Sequence, residues 1–159
     1  MALKIKYQMV CDGVTKPQLL DKGEWIDLRV SENVHLSQGE FAMLPLGIRM
    51  KIPEGFEAHI APRSSTYKNF RILQVNSPGV VDSSYCGKDD MWRMPVLAME
   101  AVGITKDTRI CQFRIVLSQK ATIQQKRAWL LADGVELVEE EWLTGSEDSR
   151  GGFGSTGMK

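Results

Sequence analysis

The amino-acid sequence predicts an all-β protein of one domain, and three observations predict it. Apolar and polar residues alternate with period two in many short runs. Gly, Pro and Asp separate those runs at the spacing expected of a sandwich or barrel. Only one stretch carries a helical pattern. With 159 residues, 43% of them hydrophobic, the chain has material for a single core. The formal net charge is zero, which argues against a general nucleic-acid binder but permits a local positive site. Cys11, Cys86 and Cys111 lie far apart, and His35 and His59 are the only histidines, so neither structural zinc nor a disulfide framework is supported. The N-terminal residues lack the apolar region of a signal peptide, and no stretch approaches a membrane span, so a reducing cytoplasm is expected, with no membrane partner.

Taken in order, strands are expected at Lys4–Val10, Trp25–Val30, Leu44–Ile52, Glu57–Ala61, Ile72–Val75, Met94–Met99 and Ile110–Leu117. Trp25, Asp27 and Arg29 share one face of the second. In the third, Leu46, Ile48, Met50 and Ile52 alternate with Gly47, Arg49 and Lys51 before a Pro53-Glu54-Gly55 turn. Pro78-Gly79 reads as a tight turn, after which Val80 and Val81 form a short strand that delivers Asp82 beside Tyr85. Cys111, Phe113 and Ile115 share a face from which Gln112 points away. Thr122–Ala132 is the helix, stopped by Asp133-Gly134, and the imperfect alternation of Val135–Leu143 is compatible with another strand. Residues 146–159 change character. They are rich in glycine, with Phe153 and Met158 as their apolar residues, and cannot order by their own burial.

Several segments carry potential chemistry, each with a plain structural alternative. Gly152 to Gly157 matches the letters of a dinucleotide motif, but no strand precedes it and no helix can follow. Its glycines allow backbone N–H groups to converge on an anion, Ser155 and Thr156 add donors, and Arg150 adds a forked cation. Phe153 can cap a flat base; composition alone equally describes a disordered end. Arg63, Ser64 and Ser65 follow a strand and suit phosphate oxygens, or form an ordinary polar turn. Asp82 is either a turn cap or a reactive carboxylate.

The order of the segments is more specific than any one of them. Asp27-Leu28, Pro62-Arg63-Ser64, Gly79-Val80-Val81-Asp82 with Tyr85 and Gly87, Arg109-Ile110 with Gln112, and Gly151 to Gly157 together resemble the five ordered motifs of trimeric dUTP diphosphatases, particularly the Bacillus and Bacillus-phage type. The likeness spans residues 23 to 157. It implies a jelly-roll-like β-barrel over 1–145 with a short helix, and a Gly-rich arm over 146–159 that closes a neighbouring subunit's active site in a homotrimer.

The resemblance also implies roles. Asp82 would activate the water that attacks the α-phosphorus of dUTP, giving dUMP and pyrophosphate. Tyr85 would lie under the deoxyribose, while Asn76 and backbone groups of the same hairpin, which holds the substrate-binding Gly79 and Val81, would read the uracil. Ser64, Gln112 and Arg63 would contact the phosphates, with Ser65 and Arg109 also among the substrate-binding residues. Asp27 would reach Mg²⁺ through water, the ion being carried mainly by the triphosphate. Phe153 would stack on the uracil, with Gly154, Ser155 and Thr156 around the γ-phosphate. Three departures stand out. Asp148 occupies the usual arginine position of the tail, which leaves Arg150, or else Arg29, to serve the γ-phosphate. Residues Tyr85 to Trp92 lengthen the uracil hairpin, with Trp92 expected in the core. The stretch 119–134 is longer than the compact pattern and is expected to pack on the barrel, or else to meet a regulatory protein. Two alternatives compete: a dCTP deaminase-like enzyme, although no glutamate lies within Asn76–Gly87, and a nucleotide-switched binding protein.

Overall fold

The structure is a computed structural model that describes residues 1–141, 151–153 and 157. Its strands are β1 (Leu3–Met9), β2 (Ile26–Arg29), β3 (Val34–Leu36), β4 (Phe41–Pro45), β5 (Ile48–Lys51) and β6 (Phe56–Pro62). After the short helix α1 (Thr66–Phe70) come β7 (Ile72–Gln74), β8 (Gly79–Asp82), β9 (Arg93–Ala98), β10 (Val102–Ile104) and β11 (Arg109–Leu117). Helix α2 (Ile123–Leu130) and β12 (Val135–Glu139) follow. The strands pair in the orders β12-β1-β5, β10-β3, β2-β11-β6-β8 and β4-β9-β7. Each strand from β1 to β11 sends at least one buried side chain into a common core, and Val135 and Leu137 of β12 pack against it. Burying each large side chain in this core contributes about 1.5–3 kcal/mol. The fold is the expected jelly-roll-like all-β class, built from four sheets around one core rather than a single closed barrel.

The expected strand Leu44–Ile52 has the correct phase but the wrong continuity. Leu44, Leu46, Ile48, Met50 and Ile52 are all buried, yet the run breaks at Gly47, where φ is 62°. Upstream it pairs with β9, and downstream with β1. Period-two alternation records which face is buried, not which neighbour supplies the hydrogen bonds. Glycine is required at the corner, because a Cβ there would lie 2.3 Å from Cys11 Sγ and 2.7 Å from Ser31 Cβ. Trp92 braces it: its N–H donates to Ile48 O at 2.9 Å and its carbonyl accepts from Leu46 N at 3.1 Å. The Trp92 indole is buried edge-on against Phe113, with centroids 5.3 Å apart. The expected core role of Trp92 therefore holds.

α1 replaces the polar turn expected after Pro62. The buried Thr66 hydroxyl accepts from Arg63 N at 2.9 Å and donates to Ile110 O at 2.8 Å, which ties this turn to β11. α2 falls within the expected helix. Thr122 caps it, and Gln125 completes a reciprocal capping box. No residue of α2 is fully buried; it is seated through Trp129, whose ring lies 5.6 Å from that of Phe56. β12 is shorter than the expected Val135–Leu143 and pairs parallel with β1, Leu3 opposite Val135. The boundary expected at residues 145/146 lies outside the described residues.

Truncating Trp92 removes the brace's ring from a filled core, so Trp92→Ala should lower unfolding free energy by about 3–5 kcal/mol. Urea unfolding followed by circular dichroism checks this.

Candidate active site

Among the described residues, Asp27, Gln112 and Asp82 lie on one surface, the outward face of the sheet β2-β11-β6-β8. Strand pleating sends alternate side chains outward, and the register then stacks them in three rows. Asp27, Gln112 and Ala61 form the first; Arg114, His59 and Val80 the second; Val116, Glu57 and Asp82 the third. The inward positions Ile26, Leu28, Phe113, Ile115, Ala58, Ile60 and Val81 are buried in the core. Apolar burial on one side therefore fixes the orientation of the polar groups on the other.

At the first row Asp27 organises two cations. Its Oδ1 accepts from Arg63 Nε at 2.7 Å and its Oδ2 from Arg109 Nη1 at 3.2 Å. The Asp27 side chain is only 18% exposed, so these pairs are less screened than surface pairs. Gln112 Nε2 donates to Pro62 O at 3.2 Å, which holds the end of β6. Ser64 is exposed and Ser65 partly buried at the start of α1 beside Arg63. Arg29 lies nearby but is committed to Asp107, donating to its carbonyl at 2.6 Å and pairing with its carboxylate at 3.6 Å. Asp107 also accepts from the backbone N–H of Thr15, the main reason its carboxyl titrates below the usual range.

At the third row Asp82 ends β8. Its Oδ1 accepts from Ser84 N at 3.0 Å and Ser84 Oγ at 2.5 Å. It borders a groove of about 740 Å³ that continues past Glu57 to Lys120 and the start of α2. Next to it, the half-buried Tyr85 donates to Met91 O at 3.2 Å. Burial, and then the charge of Asp90, push its phenol pKa up. Gly152 lies against this ring, where a Cβ would stand 3.0 Å from Tyr85 Cε2. Gln74 Nε2 donates to Ile60 O at 3.0 Å and to Asn76 Oδ1 at 3.3 Å, which orients Asn76 beside Gly79.

The structure thus gathers Asp27, Arg63, Ser64, Ser65, Arg109 and Gln112 at one end of β6, and Asp82 and Tyr85 at the other, with Gly79 opposite Ile60 between them. Phe153 is 58% exposed with φ of 52°. Arg150, Gly154, Ser155 and Thr156 lie outside the described residues. Sequence reasoning missed Asp90, which is 1% exposed and accepts from Gly87 N at 2.9 Å and Gly151 N at 3.3 Å. It also missed Gln74. In the sequence, Asp90 is one of two consecutive aspartates in a lengthened hairpin, and nothing local distinguishes it from its exposed neighbour Asp89.

The dUTPase family model matches residues 26–157, and the chain belongs to the dUTPase family. It is 45% identical over 159 residues to the SPbeta prophage-derived deoxyuridine 5'-triphosphate nucleotidohydrolase of Bacillus subtilis, covering 100% of both chains. It is 35% identical to the deoxyuridine 5'-triphosphate nucleotidohydrolase of Thermoanaerobacter, across 98% of this chain and 97% of that one. Among solved structures, the dUTPase of Streptococcus mutans superposes with a TM-score of 0.66 at 20% identity, covering 74% of this chain and 98% of that one. A mutant Staphylococcus bacteriophage 80alpha dUTPase with dUpNHpp superposes with a TM-score of 0.63 at 18% identity, covering 97% and 98%. These structural likenesses establish the fold.

The raised Tyr85 pKa gives a direct check. In a difference titration of phenolate absorbance, wild type minus Tyr85→Phe, the lost component should have its midpoint above the ordinary value of about 10. Because the folded pKa is raised, the stability tied to the neutral phenol is full below the unfolded pKa and is lost as pH rises through the folded one.

Proposed function

We propose that this enzyme of the dUTPase family hydrolyses dUTP to dUMP and pyrophosphate in the cytoplasm, with Asp82 as general base. The observation that carries this reading is that Asp82 and an Arg–Gln–Ser cluster stand at opposite ends of β6 on one outward sheet face, so that neighbouring copies can complete a site between them. Asp82 takes a proton from a water molecule as that water attacks the α-phosphorus; the bond to the bridging oxygen breaks and pyrophosphate leaves. A positioned base of this kind contributes roughly 10²–10⁴-fold. Asp27 holds Arg63 by its Nε, which leaves the Nη groups to meet phosphate oxygens. Together with Ser64, Ser65, Arg109 and Gln112 they stabilise the charge that develops on the transferring phosphoryl group. Tyr85 presents its ring to the deoxyribose, and Asn76 with the Gly79 and Val81 backbone reads the base. Phe153 stacks on the uracil, and Gly154, Ser155 and Thr156 close over the γ-phosphate. We assign the γ-phosphate to Arg150 rather than Arg29, because Arg29 already holds Asp107.

Magnesium fits this site in an outer-sphere role. Both oxygens of Asp27 already accept from guanidinium groups, which suits a water-mediated contact better than direct ligation. Mg²⁺ gives up its waters reluctantly and binds phosphates readily, so it would arrive on the triphosphate and offset its charge.

The separation of the two half-sites supports the homotrimer proposed here, with active sites shared between subunits. From Glu57, opposite Asp82, to Pro62 is five residues of antiparallel strand, about 17 Å. Within one chain, the base and the phosphate ligands therefore stand apart across an open sheet face. A second copy laid on that face brings its Arg63 end to the first copy's Asp82. The chain also carries an apolar surface suited to assembly: Phe41, Leu97 and Leu73 lie side by side across β4, β9 and β7, with Phe41 58% and Leu73 43% exposed.

With Mg²⁺ present, dUTP should release pyrophosphate far faster than dCTP, dTTP or UTP; ammonia release from dCTP would instead indicate the deaminase. Asp82→Asn should bind dUTP normally and lose roughly 10²–10⁴-fold in turnover, as measured by titration calorimetry and pyrophosphate release.

Asp82→Asn and Arg63→Ala are each expected to be nearly inactive alone. Refolded together, they should regain activity, because a mixed trimer contains sites in which both residues are intact. Failure to regain activity would refute the shared site.

A further inference from the structure

β8 is an edge strand, and its ladder partner among the described residues is β6 alone. Asp82 is the last residue of β8 and pairs with Glu57, the second residue of β6. Asp82 therefore sits against the first residues of β6. The turn that leads into them is held by α2.

Several independent contacts make this connection. Gln125 Nε2 donates to Glu54 O at 2.9 Å, in the turn that leads into β6. The Oε1 of the same amide accepts from Thr122 N at 2.7 Å, so one side chain both caps α2 and grips the turn. Gly55 receives this amide closely: φ is 85°, and a Cβ would stand 2.3 Å from Gln125 Oε1. Ser118 N donates to Gly55 O at 2.9 Å, and Trp129 packs on Phe56 at 5.6 Å. Asp82, Ser84, Lys120 and Gln125 then border one groove.

We propose that the Gln125 grip on the Glu54–Gly55 turn is a positioning device for the reaction: it steadies the first residues of β6, where Glu57 faces Asp82, and so holds Asp82 against the attacked phosphorus. Gln125 acts as a positioning residue, through the turn that it holds. The proposal rests on the role of Asp82 proposed above. It makes the 119–134 stretch part of the enzyme's working parts rather than packing alone. A displacement of about 1 Å at a reacting group can cost up to about a hundredfold in rate while leaving binding groups in place.

Two substitutions break the grip in different ways. Gln125→Glu keeps an oxygen for Thr122 N, and so keeps the helix cap, but loses the donor to Glu54 O. Gly55→Ala leaves Gln125 intact but drives its amide off the turn, and also strains the turn backbone at φ of 85°. Steady-state pyrophosphate release from dUTP should show kcat reduced roughly tenfold or more in each, with KM changed less than about threefold. Combining the two should cost no more than the worse single variant. Thermal unfolding, with assays run well below each midpoint, separates positioning from loss of fold.

Wild-type kcat in both variants would overturn the proposal, as would kcat losses that merely follow the fraction unfolded, or fully additive losses. An active Asp82→Asn enzyme would instead remove the underlying role of Asp82. An inactive Asp82→Asn beside fully active Gln125→Glu and Gly55→Ala would defeat the positioning claim alone.

Discussion

The ladder that β6 makes with β11 on one edge and β8 on the other organises the rest of the molecule. β6 carries Phe56, Ala58 and Ile60 inward and Glu57, His59 and Ala61 outward. Its two edges thus transmit a core-defined orientation to Gln112 and Asp82. Because side chains alternate faces, a slip of one residue in either ladder would turn Asp82 or Gln112 toward the core. Burial of Ala58, Ile60, Phe113 and Ile115, near-complete in each case, makes such a slip expensive. Catalytic geometry is therefore inherited from packing.

Electrostatics adds a second constraint at the Pro62 end. Two guanidiniums placed close together repel unless a carboxylate lies between them, and Asp27 fills that place with one oxygen for each. The arrangement holds Arg63 and Arg109 in fixed positions, which would reduce the ordering needed in the proposed phosphate contacts. Charge neutrality across the chain is consistent with this local arrangement: positive charge is concentrated where a phosphate can use it and balanced by nearby carboxylates.

Much of this was legible from residues alone. The inward sets of β2, β5, β6 and β11 follow from plain alternation, and the helix expected over Thr122–Ala132 contains α2. Other features were not. The corner at Gly47 is set by Cys11 and Ser31, which are distant in sequence. β3 and β10 are three residues each, too short to show a period. α1 forms because Thr66 finds the carbonyl of Ile110, a tertiary contact that a local reading of Ser64-Ser65-Thr66 cannot supply. In the candidate site, Asp82 and Tyr85 stood out through motif order, whereas Asp90 and Gln74 gain meaning only from the backbone groups they reach.

The parallel pairing of β1 with β12 has a consequence for biosynthesis. Leu3 and Val135 are neighbours in space, although nearly the whole chain separates them. While a nascent chain emerges from the ribosome, the edge of β1 that β12 will occupy stays uncovered until the last portion has been translated. Closing so long a loop carries an entropic cost that earlier, more local pairings avoid. A transcript cut short before Val135 would therefore yield a polypeptide with most of its core and one exposed strand edge, a template for unwanted association.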